Sequence, residues 1–202
     1  FKLIQDDNDS IEINLNSPGI HNVYNALAAA TICLELNVSL EVIKSGLEKY
    51  TGVKRRFEIS YQNKNNEIMI VDDYAHHPIE VAATLNAAKS GWEKRIIAVF
   101  QPHLFSRTKN FYKEFAESLS IADIIIITDI YAAREEKIPD VTSDLIINEL
   151  NKKTNKVLYI KEVNDIPHQI KKIAKNNDMI ICMGAGNINK ISIKINQEMS
   201  VK

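Results

Sequence analysis

The sequence predicts an α/β fold with a Rossmann-like, mainly parallel sheet and helices on both of its faces. Short apolar segments rich in Ile and Val alternate with segments of helical periodicity from about residue 68 onward. The connections between these apolar segments are long enough to hold a helix, as parallel strands require. Two of the apolar segments end in dense polar clusters, and open α/β sheets bind ligands at the carboxyl ends of their strands.

Residues 1–50 predict a smaller unit, made of a β-hairpin and two helices. Strands are expected at 1–5 and 11–15, and helices at 21–36 and at 39–49, where Ser39 is the expected N-cap. Gly52 then breaks the helical pattern. We therefore place a boundary near residues 50–54 and expect two domains, 1–52 and 53–202.

The larger unit is expected to alternate strands and helices in the following order. The strands lie at 57–62, 68–72, 95–100, 123–130, 157–160 and 178–183, and the helices at 78–90, 108–119, 142–151, 165–175 and 188–196. The polar loop 63–67 is too short for a crossover helix, so the strand before it is expected to be antiparallel to its neighbour. The strands that end near 72 and 100 are expected to be adjacent.

Composition argues against several function classes. The net charge of -1 and the pI near 6.6 show no basic excess, so neither nucleic acid nor an anionic membrane is an expected partner. The longest apolar runs, 121–127 and 179–183, are far shorter than the roughly 20 residues of a membrane-spanning helix. Cys33 and Cys182 are isolated in apolar segments, which predicts buried free thiols and a cytoplasmic protein.

The first polar cluster follows the strand that ends near residue 72. Asp72 and Asp73 could hold a ribose hydroxyl, a metal ion or an ammonium group, or one of them could cap the helix that Pro78 begins. His76 and His77 follow directly. Because adjacent side chains of an extended segment point in opposite directions, at least one of the two histidines is expected to be structural.

The second polar cluster, 101–108, contains His103 and Arg107. His103 is expected to face His76, which suits a general base or a substrate-positioning pair. A metal site is not predicted, because no third soft ligand is near. Arg107 at a helix start suits a carboxylate or a phosphate; the alternative is a solvated arginine paired with Glu114.

Two glycine signals bear on nucleotide binding. Gly184 and Gly186 begin a G-x-G-x-x-G pattern that fails at Asn189, so they are interpreted as a tight turn before a helix. The 202 residues contain no G-x-x-x-x-G-K-[ST] motif. If the protein uses ATP, its phosphate-binding loop lies outside this chain.

Six segments, in order and over nearly the whole chain, resemble the motifs of the Mur ligase family. They are PGIHNVYNALAA at 18–29, GVKRRFE at 52–58, VDDYAHHP at 71–78, FQPHLFSRT at 100–108, DIYAARE at 129–135 and GAGNI at 184–188. The resemblance implies that residues 1–52 are the tail of a P-loop ATPase domain and 53–202 a Rossmann-like ligase domain. It also suits a chain that starts inside a strand at Phe1, as a fragment would.

The resemblance implies a partial nucleotide site in this chain. Asn22 and Asn25 match the adenine contacts of the family, and Asp73 matches its ribose-binding carboxylate. Arg56 matches the arginine that reaches the terminal phosphate of ATP, and so has a catalytic role as well. Mg²⁺ would be held mainly by residues outside this chain.

The resemblance also implies an amino-acid pocket. Tyr74, His76, His103 and Arg107 match its substrate-binding residues, and His76 is the second implied catalytic residue. Some members carry another arginine where this chain has Leu104, so this pocket is expected to have one charge fewer.

The implied reaction converts a carboxylate into an acyl phosphate, which an amine then attacks. The second cluster favours the member that joins L-alanine to UDP-N-acetylmuramate over a sister ligase that adds a recycled peptide to the same sugar. The expected partners are therefore ATP, L-alanine and UDP-N-acetylmuramate. A non-catalytic Rossmann-like binding domain is the alternative of a different class.

Overall fold

The computed structural model describes residues 1–5, 9–62, 67–153 and 156–200. It contains two compact units, Phe1–Val53 and Lys54–Lys202. The turn of the predicted hairpin and most of the predicted loop 63–67 lie outside the described residues.

The first unit is a hairpin followed by two helices. Its antiparallel strands are β1 (Lys2–Ile4) and β2 (Ser10–Glu12), and its helices are α1 (Ile20–Glu35) and α2 (Leu40–Lys49). Ser39 precedes α2 with extended backbone, as expected of an N-cap, but its side chain makes no capping hydrogen bond. The buried core of this unit consists of Leu3, Ile13, Ala30, Leu40 and Ile43.

The second unit alternates strands and helices as the sequence predicts. Its strands are β3 (Glu58–Gln62), β4 (Met69–Asp73), β5 (Arg95–Phe100), β6 (Ile124–Ile127), β7 (Val157–Tyr159) and β8 (Asp178–Met183). Its α-helices are α3 (Pro78–Gly91), α4 (Phe105–Leu119), α5 (Asp144–Asn151), α6 (Ile166–Ile173) and α7 (Asn189–Ser200).

The sheet has the order β3-β4-β8-β5-β6-β7. All pairs are parallel except β3 with β4, so the predictions of a mainly parallel sheet and of one antiparallel strand are confirmed. The expectation that β4 and β5 are adjacent is wrong, because β8 lies between them. Every residue of β8 is buried, which suits a central strand covered on both faces.

Helices cover both faces of the sheet, as predicted. On one face Leu85 of α3, Phe115 of α4 and Ile146 of α5 belong to one buried cluster. On the other face Ile170 of α6 and Ile195 of α7 belong to a second cluster. Both clusters are apolar, so burial of the two faces is the main force that holds the sheet between its helices.

Both cysteines are free. Cys182 in β8 is fully buried, and burial raises the pKa of its thiol, whereas Cys33 in α1 is only partly buried. Among the described residues, no helix is both long enough and apolar enough to cross a membrane.

Candidate functional site

Three chain segments meet at the carboxyl ends of β4, β8 and β5. The backbone N–H of Gly184 donates to the carbonyl oxygen of Asp73 at 3.2 Å, and that of Gln101 donates to Met183 at 3.0 Å. The position of β8 therefore brings the turn that follows it, with Gly184 and Gly186 (the glycine turn), between the two polar clusters. The clusters still converge, although their strands are not neighbours.

His77 is the structural histidine of the first cluster. It is the N-cap of α3: its Nδ1 accepts from the backbone N–H of Ile79 at 3.4 Å, and its own N–H donates to Glu80 at 3.2 Å. Its ring also contacts Phe111 edge-on, with 5.0 Å between centroids. The expectation that one of the two histidines is structural is confirmed, and neither aspartate is the N-cap.

His76 faces the site. Its Nδ1 lies 2.8 Å from the carbonyl oxygen of Tyr74 and 3.2 Å from a carboxylate oxygen of Glu80. Both neighbours are acceptors, so Nδ1 is assigned the proton and Nε2 an available lone pair.

The second cluster brings His103 and Arg107 to His76. The rings of His76 and His103 are 6.0 Å apart, and His103 stacks on Tyr131 at 5.8 Å. Arg107 Nη1 lies 3.4 Å from both the carbonyl oxygen of His76 and Nδ1 of His103. Burial, and then the positive charge of Arg107, lower the pKa of His103, so its ring is neutral near pH 7. Within the described residues Arg107 makes these contacts and no ion pair with Glu114.

Glu135 fixes the start of α4. Its carboxylate accepts from the backbone N–H of Ser106 at 3.0 Å and from the hydroxyl of the same residue. These bonds lower the pKa of Glu135 and satisfy a free N–H at the helix start. Arg107 is the next residue along α4, so Glu135 supports the site, and Tyr131 supports it by stacking on His103. Neither residue had a predicted role.

Asp73 ties the turn before β3 to the segment after β4. Its side chain accepts from the backbone N–H of Ala75 at 2.7 Å and from that of Phe57 at 2.8 Å. Asp73 is only 5% exposed, and burial raises its pKa in spite of these two bonds. A carboxylate oxygen can accept two hydrogen bonds, so the Asp73 side chain keeps the capacity to accept one from a ribose hydroxyl. Its role in ribose binding stays a prediction.

The other predicted nucleotide residues lie in different surroundings. Arg56 is 54% exposed, and its Nη1 lies 3.7 Å from Glu80. In the first unit, the Asn22 amide donates to the carbonyl oxygen of Pro18 at 2.7 Å, and that of Asn25 donates to Asn22 at 3.5 Å. The two asparagines are thus one turn apart on α1, and their role in binding adenine stays a prediction.

The glycine turn allows the three segments to pack closely. Gly184 has a φ of +146°, and a Cβ there would lie 2.8 Å from the carbonyl oxygen of Gln101. A Cβ on Gly186 would lie 2.4 Å from Oε1 of Gln101 and 2.6 Å from the Tyr131 ring. The turn predicted from these glycines is confirmed. Position 186 has no room for a side chain because Gln101 and Tyr131 both approach it closely.

Gly186→Ala is expected to lower the free energy of unfolding of this chain by about 1–3 kcal/mol, because the added methyl overpacks the turn. Urea unfolding measures this change. Gly91→Ala is the matched control, since nothing lies within 4 Å of its Cβ position, and it should be nearly neutral. Equal stability of the two variants would contradict the packing seen at Gly186.

Among the described residues, no group of three or more His, Cys, Asp and Glu side chains could hold a metal ion.

Comparison with known proteins identifies the family of this chain. The family profile described as Mur ligase, glutamate ligase domain, matches residues 55–186. This chain belongs to the Mur ligase family. The match includes β4, β5 and β8 and therefore all three segments of the site.

Two curated relatives of the Mur ligase family show how much of a whole protein is present. The chain is 44% identical over 196 residues to UDP-N-acetylmuramate–L-alanine ligase of Sulfurihydrogenibium sp. (strain YO3AOP1), covering 96% of this chain and 42% of that protein. It is 45% identical over 179 residues to the enzyme of the same name from Trichlorobacter lovleyi, covering 88% and 39%. The chain thus spans about two fifths of the length of these relatives.

Solved structures of Mur ligases confirm the predicted fold. The UDP-N-acetylmuramate–alanine ligase of Thermotoga maritima superposes with a TM-score of 0.82 at 29% identity, covering 95% of this chain and 41% of that one. The murein peptide ligase of Psychrobacter arcticus superposes with a TM-score of 0.65 at 25% identity, covering 98% and 41%.

Proposed function

We propose that this chain is the carboxyl-terminal part of a cytoplasmic, ATP-dependent ligase that joins L-alanine to UDP-N-acetylmuramate in peptidoglycan synthesis. The observation that carries the proposal is the convergence of His76, His103 and Arg107 at one edge of the sheet. The similarity to L-alanine ligases along 96% of the chain supports the choice of substrates.

Arg107 is proposed to bind the carboxylate of L-alanine. Its two present contacts are both 3.4 Å long, close to the limit for a hydrogen bond, so a carboxylate can replace them with shorter, charge-assisted bonds. A planar guanidinium can hold both carboxylate oxygens at once. The amine of the substrate is then left free to point toward His76.

His76 is proposed to take a proton from the amine. L-Alanine is an ammonium ion near pH 7, and its nitrogen cannot attack the acyl phosphate until it loses a proton. Nε2 of His76 has the lone pair to accept it. The positive ring that results is stabilised through Nδ1 by the Tyr74 carbonyl at 2.8 Å and the Glu80 carboxylate at 3.2 Å.

The nucleotide side of the site is proposed to use Arg56. ATP supplies the phosphoryl group that activates the muramate carboxylate. The Arg56 guanidinium fits an anionic ligand because it is half-exposed and its contact with Glu80 is 3.7 Å long. Asp73, Asn22 and Asn25 are proposed to bind the ribose and the adenine, and Mg²⁺ is proposed to be held mainly by residues beyond these 202.

The choice between L-alanine and a recycled peptide is tested with the full-length gene product. ATP and UDP-N-acetylmuramate are supplied with L-alanine, glycine, L-serine or the peptide L-alanyl-γ-D-glutamyl-meso-diaminopimelate, and ADP release and product mass are measured. The highest kcat/KM is expected with L-alanine. A highest value with the peptide would assign the chain to the sister ligase.

The 202-residue chain alone is expected neither to hydrolyse ATP nor to ligate L-alanine, because its sequence contains no phosphate-binding loop. The measurement is ADP release from the purified chain beside the full-length product. ADP release by the chain above background would contradict this prediction. Absence of turnover in both proteins would favour a binding domain without catalysis.

A further inference from the structure

Arg55 connects three parts of the site, although the family resemblance assigned a role only to Arg56. Its Nη2 donates to the carbonyl oxygen of Gly184 at 2.6 Å, and its Nε lies 3.5 Å from a carboxylate oxygen of Asp72. Its guanidinium also lies over the Tyr74 ring, 4.8 Å from the centroid, as in a cation–π contact. One side chain thus reaches β4, the segment after β4 and the turn after β8.

The backbone of Arg55 strengthens this connection. Its carbonyl oxygen accepts from the N–H of Tyr74 at 2.7 Å, and its own N–H donates to Glu58 at 2.8 Å. Its φ of +60° turns the chain sharply between two consecutive arginines. Arg55 contacts Gly184, whereas Arg56 contacts Glu80 and lies farther from the Tyr74 ring than Arg55, at 5.9 Å from its centroid.

Tyr74 links Arg55 to the proposed base. The Tyr74 ring meets the His76 ring edge-on at 5.0 Å, and the Tyr74 carbonyl holds His76 Nδ1. A shift of Tyr74 would therefore move both the ring of His76 and the acceptor that fixes its tautomer.

Stability is a poor explanation for the pair of Arg55 and Asp72. Asp72 is 6% exposed, and burial raises its pKa to about 6 even with Arg55 beside it. Within the described residues, Nε of Arg55 and Oδ1 of Asp72 are buried without a hydrogen-bond partner. Buried ion pairs with incomplete hydrogen bonding contribute little net stability. The contacts of Arg55 are better explained by the segments that they hold in place.

We propose that Arg55 is a positioning residue of the amino-acid pocket, which holds Tyr74, and through it His76, against the turn at Gly184. The identification of L-alanine as the substrate of this pocket rests on the proposed function. The positioning of Tyr74 and His76 rests only on contacts within this chain.

The test uses the full-length gene product with Arg55→Met, Arg55→Lys and the control Lys54→Met, which removes an exposed cation from the same turn. Arg55→Met is expected to raise the KM for L-alanine at least about tenfold and that for ATP much less. Arg55→Lys is expected to be nearly as thermally stable as the unsubstituted protein, but its KM for L-alanine should stay raised. Lysine lacks the planar guanidinium that donates to Gly184 while it lies over the Tyr74 ring. The control should match the unsubstituted protein.

A purely structural role would lower the melting temperature and leave the KM for L-alanine within twofold of the unsubstituted value, and this result would overturn the proposal. Equal increases in KM for L-alanine and ATP would also overturn it. If Arg55→Met fails to fold, the Arg55→Lys kinetics decide.

Hydrogen–deuterium exchange of the 202-residue chain separates this inference from the proposed function. Arg55→Lys is expected to speed exchange in segments 73–77 and 183–187 relative to Lys54→Met, whatever the substrate is. Faster exchange with no L-alanine ligation by the unsubstituted enzyme would reject the proposed function and keep the positioning role. Unchanged exchange would reject the positioning role.

Discussion

Arg107→Lys in the full-length ligase is expected to raise the KM for L-alanine at least about tenfold, which corresponds to roughly 1.4 kcal/mol. Lysine keeps the positive charge but cannot grip both carboxylate oxygens in one plane. The KM values for ATP and UDP-N-acetylmuramate should remain nearly unchanged, because the hydrogen-bond contacts of Arg107 within the described part of the chain are to His76 and His103 of the proposed amino-acid pocket. Steady-state kinetics with each substrate varied in turn measure all three values.

The matched control is Lys109→Ala, which removes an exposed cation from the same helix and should leave all three KM values unchanged. An unchanged KM for L-alanine in Arg107→Lys would remove Arg107 from the pocket. An equal loss for the three substrates would indicate a general defect in α4.

Arg56→Ala in the same enzyme is expected to lower kcat by about a hundredfold or more, with only a small increase in the KM for ATP. An arginine on the terminal phosphate interacts most strongly as charge develops during phosphoryl transfer, so its loss appears mainly in the rate. The Arg56 side chain is half-exposed and its contacts are long, 3.7 Å to Glu80 and 5.9 Å to the centroid of the Tyr74 ring, so the melting temperature should be nearly unaffected.

Lys54→Ala, two residues before Arg56 in the same turn, should leave kcat and the KM for ATP unchanged. A raised KM for ATP with an intact kcat in Arg56→Ala would show that Arg56 only binds the nucleotide.

The sequence predicted the fold and the convergence of the two polar clusters because both depend on local patterns. An apolar strand that ends in polar residues places those residues at a sheet edge wherever the strand lies. Strand order depends on contacts between distant parts of the chain and not on a local pattern. β8 pairs with β4 and β5, which are far from it in sequence, and its apolar residues do not indicate which strands it will pair with.

The contacts that support the site escaped prediction for a related reason. Glu135 binds Ser106, 29 residues away, and nothing in the local pattern of either residue indicates the other. This contact also explains why α4 begins at Phe105, three residues earlier than expected. Arg55 and Arg56 are identical residue types in adjacent positions, and the residue type indicates neither the positive φ of Arg55 nor that it contacts Gly184 while Arg56 contacts Glu80.

L-Alanine is proposed to bind where His76, His103 and Arg107 meet, at the carboxyl ends of β4 and β5. The most direct measurement is NMR of the full-length ligase labelled with ¹³C in its histidine rings, with L-alanine added in the presence of UDP-N-acetylmuramate and a non-hydrolysable ATP analogue. The ring signals of His76 and His103 are expected to shift with L-alanine concentration until they saturate. The signals of His77, which caps α3, and of His168 on α6 should not change. Ligation of L-alanine without any change in the His76 and His103 signals would contradict binding at this site and place the amino acid elsewhere.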